Sequence, residues 1–281
     1  MNRRTLRRAQ SNLMVGVMAV AVIVALLPLI FILLNLVVKG ADSLSLAFFT
    51  HTPAPAGESG GGVVHAIVGS GIIVGTACLL GLPVGILAGI YCAEYPASRL
   101  AWTTRFVADV LNGTPSIVIG VFVWAFVVAP QKHFSAFAGS VALAVLMVPM
   151  VMRTTEEMIK LVPNSLREAA LALGYPRWRT SLQIVVLTTL PGIVTGSLLA
   201  VSRVAGETAP LLFTALGSQY LSTRLGEPMA ALPLTVYTYA TGPFEEWHQY
   251  AWAAALVLIV LVFLLSLAAR LATRRMAGIS S

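Results

Sequence analysis

Six long apolar runs constrain what this chain can fold into more than any other feature of its sequence. They cover residues 13–38, 63–93, 107–129, 134–152, 182 onward and 251–269. An α-helix needs about 20 apolar residues to cross a bilayer, and these runs reach or approach that length. Because 58% of the 281 residues are hydrophobic and only 10% are charged, a single soluble core cannot hold them. The sequence therefore predicts an all-α polytopic membrane protein with six transmembrane helices.

Lysine and arginine are distributed unevenly between the connections that join these runs. The amino tail, residues 94–106, residues 153–181 and the carboxyl tail carry fourteen of the eighteen, whereas the opposite connections carry Lys39, Lys132 and Arg224. Because basic residues favour the cytoplasmic side, both termini are predicted to be cytoplasmic. The cations stand in short blocks between apolar runs, so they indicate contact with membrane lipid headgroups and not with nucleic acid.

The hydrophilic stretch 153–182 is long enough to present a shaped surface to a partner. Ser165 and Glu168 form an S-x-x-E capping box, which predicts that a helix begins there, and Gly174 followed by Pro176 predicts its end. An apolar stripe recurs between these signals at helical spacing, and it consists of Leu166, Ala169, Ala170 and Leu173. From these residues alone, the helix either docks into a groove of a partner or lies on the lipid headgroups as an amphipathic surface helix.

Arg203 is the one basic residue inside an apolar run, and it is four residues from Glu207. A charge in hydrocarbon costs on the order of 3 kcal/mol, so this pair is a functional-site hypothesis. Gly206 and Pro210 predict a helix break, where free N–H groups and the planar guanidinium would suit an oxyanion. The alternatives are a structural ion pair and an arginine that reaches outward, because a count from Leu182 places Arg203 toward the outer boundary.

Polar residues also interrupt the third apolar run near its start. The sequence there is Asn112-Gly113-Thr114-Pro115-Ser116. Pro115 frees a backbone carbonyl that water or a solute could use, and the flanking Thr114 and Ser116 supply hydroxyl groups. The alternative is a kink whose carbonyl is satisfied by threonine or serine.

Small residues and one short segment carry predictions about packing and not about chemistry. Two series of glycines at four-residue spacing predict that another helix approaches the second run closely, and they are Gly71 and Gly75, then Gly81, Gly85 and Gly89. Cys78 and Cys92 lie in the same run and are predicted to be core residues, not a disulfide. The segment 228–240 is too short to cross a bilayer, so it is either a re-entrant half helix or an outer-surface helix.

Three motifs together resemble a known family. They are Glu168-Ala169-Ala170 with Gly174, Gly113-Thr114-Pro115-Ser116, and the run from Arg203 to Thr214 that contains Gly206-Glu207-Thr208. In this order they resemble the phosphate-specific ABC-importer permeases, most closely the PstA-type subunits, from the second apolar run to the last. Leu190-Pro191 matches the coupling-loop pattern of that family only approximately in its spacing from Gly174. The resemblance implies a type I ABC-importer permease fold, with one transmembrane permease domain over 1–281, a core over 63–272 and a cytoplasmic coupling loop over 153–182.

The resemblance also implies a function and a set of partners. The chain would be the permease subunit of an ATP-driven phosphate importer in the bacterial inner membrane. Its partners would be a PstC-type permease, a PstB-type ATPase dimer and a PstS-type phosphate-binding protein that delivers inorganic phosphate. The implied substrate-pathway residues are Arg203, Glu207, Thr208, Thr114 and Ser116. The implied ATPase-coupling residues are Ser165, Glu168, Ala169, Ala170 and Gly174.

Other classes of function are weighed against this expectation. The sequence contains no Gly-x-x-x-x-Gly-Lys-Ser/Thr loop, so ATP would be bound by a partner, and the chain is expected to have no cofactor, metal or enzymatic activity of its own. The four histidines, at positions 51, 65, 133 and 248, form no catalytic pattern, which argues against an intramembrane enzyme. Two alternatives stay open: an ion-gradient-driven secondary anion transporter that uses Arg203 and Glu207 as a proton relay, and an ABC permease for another oxyanion.

Overall fold

The computed structural model describes residues 3–55 and 60–277, which are helical over most of their length. The first half contains α1 (Arg3–Ala41), α2 (Leu46–Thr50), α3 (Val64–Glu94), α4 (Arg99–Gly113), α5 (Ser116–Val123), α6 (Ala129–Gln131) and α7 (Ala136–Lys160). The second half contains α8 (Asn164–Ala172), α9 (Arg177–Arg179), α10 (Leu187–Val204), α11 (Ala209–Leu212), α12 (Leu232–Ala240) and α13 (Glu245–Ala277). Two π-helical turns, Trp124–Val128 and Thr180–Val186, join α5 to α6 and α9 to α10. No β-strand occurs in the two described ranges.

Five helices in the described part of the chain are long and apolar enough to cross a membrane. They are Gln10–Ala41, Val64–Glu94, Ala136–Lys160, Arg177–Val204 and Glu245–Ala268. A sixth is present if the bent pair formed by Arg99–Gly113 and Ser116–Gln131 counts as one span. The predicted all-α membrane fold is therefore confirmed.

The third predicted span, 107–129, is wrong in its start and in its continuity. α4 begins at Arg99 and ends at Gly113, and the axis turns by 108° before α5. Thr114 is extended, with φ −82° and ψ 132°, because the α region is disfavoured for a residue that precedes proline. Pro115 also has no N–H with which to continue the helical ladder. The polar interruption therefore separates two helices.

The glycines of α3 bring that helix close to α7. The three that contact α7 are Gly81, Gly85 and Gly89. A Cβ added at Gly81 would lie 3.3 Å from the Cα of Ala144, so the two backbones nearly touch. The predicted close approach is confirmed for these three glycines. It is wrong for Gly71 and Gly75, where a Cβ would meet no atom of the described chain within 4 Å.

α10 packs antiparallel to α7, and their register sets the height of the residues that follow. Gly192 of α10 lies against Met158 of α7, and Gly196 lies against Thr154. Residue numbers therefore increase along α10 in the direction in which they decrease along α7. Buried residues of both helices share one core, which includes Met147. The register places the last turn of α10 beside the middle of α7.

The segment between α11 and α13 closes the end of the bundle that is opposite α8. Ser135, Ala136 and Phe137, at the start of α7, donate their N–H groups to carbonyls of this segment at 3.0, 2.8 and 2.8 Å. The N–H of Leu232, which begins α12, donates to the hydroxyl of Ser70 at 2.7 Å. Five residues of α12 are buried. This short helix is inserted into the end of the bundle, which favours the half-helix alternative for 228–240.

α1 stands apart from the bundle for most of its length. No residue in its most apolar window is buried. Near its end, Leu36 and Gly40 are buried, and a Cβ at Gly40 would lie 2.9 Å from the carbonyl oxygen of Trp252 in α13. Cys78 and Cys92 are both free thiols, as predicted.

Candidate functional site

α8 is the helix predicted within the stretch 153–182, but the predicted capping box at its start is wrong. The helix begins at Asn164 with Pro163 as its cap residue, at φ −59° and ψ 142°, and no side chain makes a cap hydrogen bond. Ser165 therefore lies inside the first turn, and both Ser165 and Glu168 are exposed. Pro163 favours this earlier start because its ring fixes φ and it has no N–H that needs a partner.

α8 ends at Ala172, and Gly174 stops it as predicted. Gly174 has φ +85°, a left-handed conformation that residues with a Cβ rarely adopt. Its N–H donates to the carbonyl of Leu171 at 3.0 Å, and the N–H of Tyr175 donates to the carbonyl of Ala170 at 3.2 Å. These two bonds form a Schellman motif, which satisfies carbonyl groups at the helix end. Gly174 thereby fixes the direction in which the chain leaves α8.

The predicted apolar stripe of α8 divides between two surfaces. Ala170 is only 4% exposed, because α8 packs against the π-helical turn that follows α9. Leu166, Ala169 and Leu173 are exposed and form the remainder of the stripe. A partner that docks on α8 would therefore meet these three residues and not Ala170.

An ion pair ties α8 to the end of α3. Arg167 of α8 pairs with Glu94, the last residue of α3, and both side chains are largely buried. Arg167 also donates to the carbonyl of Ile159 at 3.4 Å. The first eight residues of the predicted loop, 153–160, are the last two turns of α7. Movement of α8 would therefore be felt by both α3 and α7.

A buried carboxylate that was not among the predicted site residues lies at this end of the bundle. Glu156 of α7 has a side chain that is 1% exposed, and it accepts hydrogen bonds from Arg105 Nε at 2.7 Å and Lys160 Nζ at 2.5 Å. Arg153 lies 3.5 Å from Glu156 and forms a second ion pair with Asp109 of α4. A buried charge is costly unless it is paired, and the partners of Glu156 include Arg105 of α4. The ion pairs therefore hold α4 against α7. The helical spacing of Arg153, Glu156 and Lys160 could have predicted ion pairs within α7. The pair with Arg105 could not be predicted in this way, because Arg105 is 51 positions from Glu156.

The predicted helix break beside Arg203 is confirmed, since α10 ends at Val204 and α11 begins at Ala209. Arg203 Nε and Glu207 Oε1 are 4.0 Å apart, at the outer limit of an ion pair. The Arg203 side chain is 62% exposed, whereas that of Glu207 is 20% exposed. Arg203 Nη1 also lies 3.6 Å from the sulfur of Met150. The Arg203–Glu207 pair is therefore a loose contact on the surface of this chain.

Arg203 lies deeper along the bundle than the count from Leu182 predicted. Its neighbour Met150 is about 21 Å from the start of α7 at Ala136, at 1.5 Å per residue, and therefore near the middle of that helix. The expected position toward the outer boundary is corrected accordingly. The count took Leu182 as the first residue in the membrane, whereas the helix begins at Arg177 and the turn that contains Leu182 packs beside α8.

The other predicted pathway residues flank two breaks that pack against each other. A Cβ at Gly120 of α5 would lie 2.7 Å from the Cα of Pro210 of α11. Ser116 is the first residue of α5, and Thr114 lies two residues before it. Thr208 is the cap residue of α11. All three are half-buried. The fold therefore brings the two sequence motifs to one crossing.

Thr114 satisfies the backbone where the chain breaks before Pro115. Its hydroxyl donates to the carbonyl of Val110 at 2.7 Å, and its N–H donates to the carbonyl of Leu111 at 3.2 Å. This is the arrangement expected of a structural kink, because the threonine itself occupies the carbonyls that a solute would need. The hydroxyl groups of Ser116 and Thr208 make no such bond to any residue that the structure describes.

Comparison with known proteins places this geometry in a class. Residues 85–278 match the family described as binding-protein-dependent transport system inner membrane component. A chain of the inward-facing MetNI methionine ABC transporter aligns with a TM-score of 0.61 and 20% identity, over 76% of this chain and 95% of that chain. A chain of an amino acid ABC transporter with histidines aligns with a TM-score of 0.55 and 16% identity, over 76% and 92%. The protein is thus a multi-pass membrane permease with the type I ABC-importer fold.

Relatives that match along nearly the whole chain identify the family within this class of permeases. The phosphate transport system permease protein PstA of Yersinia pestis is 51% identical over 265 residues, which are 94% of this chain and 90% of that protein. PstA of Haemophilus influenzae is 48% identical over 94% of each chain, and PstA 1 of Mycobacterium tuberculosis is 38% identical over 96% and 91%. The chain belongs to the PstA family of phosphate transport system permease proteins.

Proposed function

We propose that this chain is the permease subunit of an ATP-driven phosphate importer and that Arg203 binds phosphate on the translocation pathway. The observation that carries the proposal is an arginine, 62% exposed, on a helix that is apolar enough to cross a membrane and beside Met150 near the middle of α7. A guanidinium offers a planar fork of donors that matches an oxyanion in two hydrogen bonds. Its contacts in the described chain, to Glu207 and Met150, are at 4.0 and 3.6 Å and leave most of these donors for a solute.

The remaining pathway residues take different roles around Arg203. Glu207 lies close enough to orient the guanidinium and to balance its charge before phosphate arrives. Ser116 and Thr208 supply hydroxyl groups at the crossing of the two breaks. Thr114 acts by holding the bend, since its proton is already donated to Val110.

A second permease completes the pathway in this proposal. A charged side chain on the outside of one subunit would face hydrocarbon, which is costly, unless a neighbour covers it. We therefore place a PstC-type permease against the Arg203 side, with the pathway between the two subunits. The single transmembrane permease domain covers 1–281, with the permease core over 63–272, and it holds no cofactor of its own.

ATP hydrolysis reaches the pathway through the coupling loop 153–182. A PstB-type ATPase dimer binds the ATP and docks on the exposed side of α8, where Ala169 and Glu168 lie. Ser165 lies at the start of this surface, and Gly174 fixes the direction in which the chain leaves it. The buried Ala170 packs α8 against the rest of the chain, so that a movement of α8 would move the bundle. The charge asymmetry of the connections supports cytoplasmic termini and a cytoplasmic α8. A PstS-type protein then delivers inorganic phosphate at the opposite end.

Reconstitution tests the function directly. With the three partner types and the chain in liposomes, labelled phosphate is expected to enter only when ATP is present on the α8 side. Uptake driven by a proton gradient without ATP would favour a secondary transporter instead. Equal uptake of sulfate at the same concentration would point to a permease for oxyanions in general.

Ala169→Glu tests the coupling surface. The added charge lies on the exposed stripe, so phosphate-stimulated ATP hydrolysis and uptake should fall together while membrane insertion is unchanged. Asn164→Glu is the matched control, because it adds the same charge about 140° around the helix, at 100° per residue. If both variants lose activity equally, the docking surface is not the exposed stripe. Ala170→Glu is unsuitable for this test, because Ala170 is buried in the chain itself.

A further inference from the structure

A cavity of about 440 Å³ lies between the end of α3, α8 and the start of the helix that leads into α10. Its lining is divided into two parts. An apolar wall contains Leu87, Ile90 and Leu182, and a polar end contains Glu94, Arg167, Arg177 and Ser181. Leu87 lies about 10 Å along α3 from Glu94, at 1.5 Å per residue. The cavity therefore suits a ligand with a polar head and an apolar body.

Ser181 indicates that the polar end is built to hold a ligand. The residue is 9% exposed, and its hydroxyl has no hydrogen-bond partner among the described residues. A buried hydroxyl without a partner is destabilising, and most such groups in folded proteins are satisfied. A ligand oxygen at the polar end would accept the hydrogen bond that the Ser181 hydroxyl donates to no described residue.

The charges around Ser181 favour an anion. Arg167 is shared between Glu94 and the carbonyl of Ile159. The side chain of Arg177 is exposed and makes no hydrogen bond or ion pair within the part of the chain that the structure describes. Two guanidinium groups against one carboxylate leave the cavity with a net positive charge. The site is therefore complementary to a phosphate group.

The apolar wall distinguishes a lipid from a free anion. Leu87 and Leu182 are exposed on the sides of helices that are apolar enough to cross a membrane. Trp178, which also lines the cavity, is an exposed aromatic of the kind found at membrane interfaces. Inorganic phosphate would leave the two leucines in water, whereas an acyl chain would cover them. Cations beside such a wall are typical of sites that recognise anionic lipid headgroups.

We propose that this cavity binds one anionic phospholipid, with its headgroup phosphate on Arg177, Arg167 and Ser181 and its glycerol and acyl carbons along Leu87 and Leu182. The bound lipid braces α8 against α3, because its phosphate shares Arg167 with Glu94. The site is separate from Arg203, so it is not part of the phosphate pathway.

Lipid retention by the purified full-length chain tests the proposal. Native mass spectrometry from neutral detergent should show one phosphatidylglycerol retained, and no phosphatidylcholine at the same concentration. Ser181→Ala and Arg177→Gln should each lower phosphatidylglycerol retention about tenfold, the size expected when one hydrogen bond to a charged group is removed. Without lipid, Ser181→Ala should raise the melting temperature, since it removes the unsatisfied hydroxyl. A serine with a purely structural role would not produce these opposite effects.

Arg179→Gln is the matched control, because Arg179 stacks on Trp178 at 5.3 Å but does not line the cavity. It should retain phosphatidylglycerol as the unmodified chain does. Equal loss in Arg179→Gln, or equal retention of the two lipids, would overturn the proposal. Displacement of the lipid by millimolar inorganic phosphate would also overturn it, since that result indicates a free-anion site. The measurement involves neither ATP nor transport, so its outcome is independent of the proposed function.

Discussion

Two helix breaks lie against each other in this bundle, and they differ in what each does with its polar groups. At the break before Pro115, the hydroxyl and N–H of Thr114 are donated to carbonyls of α4. At the break after Val204, the guanidinium of Arg203 is 62% exposed and touches Glu207 only loosely. At the first break, Thr114 donates both of its protons to carbonyls of the chain. At the second break, the guanidinium donors of Arg203 have no close partner among the described residues.

The contrast shows how a broken helix is recognised as structural or functional. Both breaks contain proline and glycine, so their sequences suggest the same disruption. The two breaks differ in how many of their hydrogen-bond donors already have partners within the chain. A break whose donors are all paired has none available to bind a solute. This criterion supports the proposal that the break after α10 is the solute site, against which the break before α5 packs through Gly120 and Pro210.

The largest expected effect is on the functional break. Arg203→Lys keeps the charge but loses the second donor of the planar fork, so initial phosphate uptake should fall about 10- to 100-fold, as expected for about 1.5–3 kcal/mol. The measurement is uptake by the reconstituted complex at matched membrane abundance. Uptake within twofold of the unmodified complex would show that Arg203 contributes charge alone.

A smaller effect should follow when the two breaks are forced apart. A side chain at Gly120 would meet the backbone of Pro210, so Gly120→Val should destabilise the chain by about 1–3 kcal/mol. Thermal unfolding of the purified chain in detergent measures this. Gly71→Val is the control, because a Cβ at Gly71 meets no described atom within 4 Å and its melting temperature should barely change. Equal shifts in both variants would mean that the crossing at Gly120 is not tight.

The smallest effect is expected at the break before Pro115. Thr114→Val removes the hydrogen bond to Val110 and should cost about 1 kcal/mol of stability, while Thr114→Ser should cost less. Phosphate uptake per folded complex should be little changed in both. If Thr114→Val reduced uptake as strongly as Arg203→Lys, the distinction between the two breaks would be lost.

Local chemistry determined which features could be predicted from the sequence. The end of α8 follows from Gly174 and Pro176, since the left-handed residue and the next turn are neighbours in the chain. The break between Arg203 and Pro210 follows for the same reason. The start of α8 was misjudged because Ser165 and the nearby Pro163 both favour a helix start, and the sequence does not rank them.

Features that depend on distant contacts could not be predicted in the same way. Gly71–Gly75 and Gly81–Gly85 of α3 share the same four-residue spacing, but only the position of α7 decides that Gly81 is covered and Gly71 is not. The height of Arg203 depends on the register of α10 against Met150, which no local pattern encodes. The burial of Ala170 likewise depends on how α8 packs against the π-helical turn after α9.

The most direct test of the central claim is phosphate uptake by the double variant Arg203→Gln/Glu207→Gln, compared with both single variants and the unmodified complex. If the pair were only a structural staple, removing both charges together would relieve the unpaired charge that each single change leaves, and uptake would recover. Because the two groups are 4.0 Å apart and Arg203 is exposed, we predict no recovery. The expected result is a double variant without uptake whose ATP hydrolysis persists; near-normal uptake would contradict phosphate binding by Arg203.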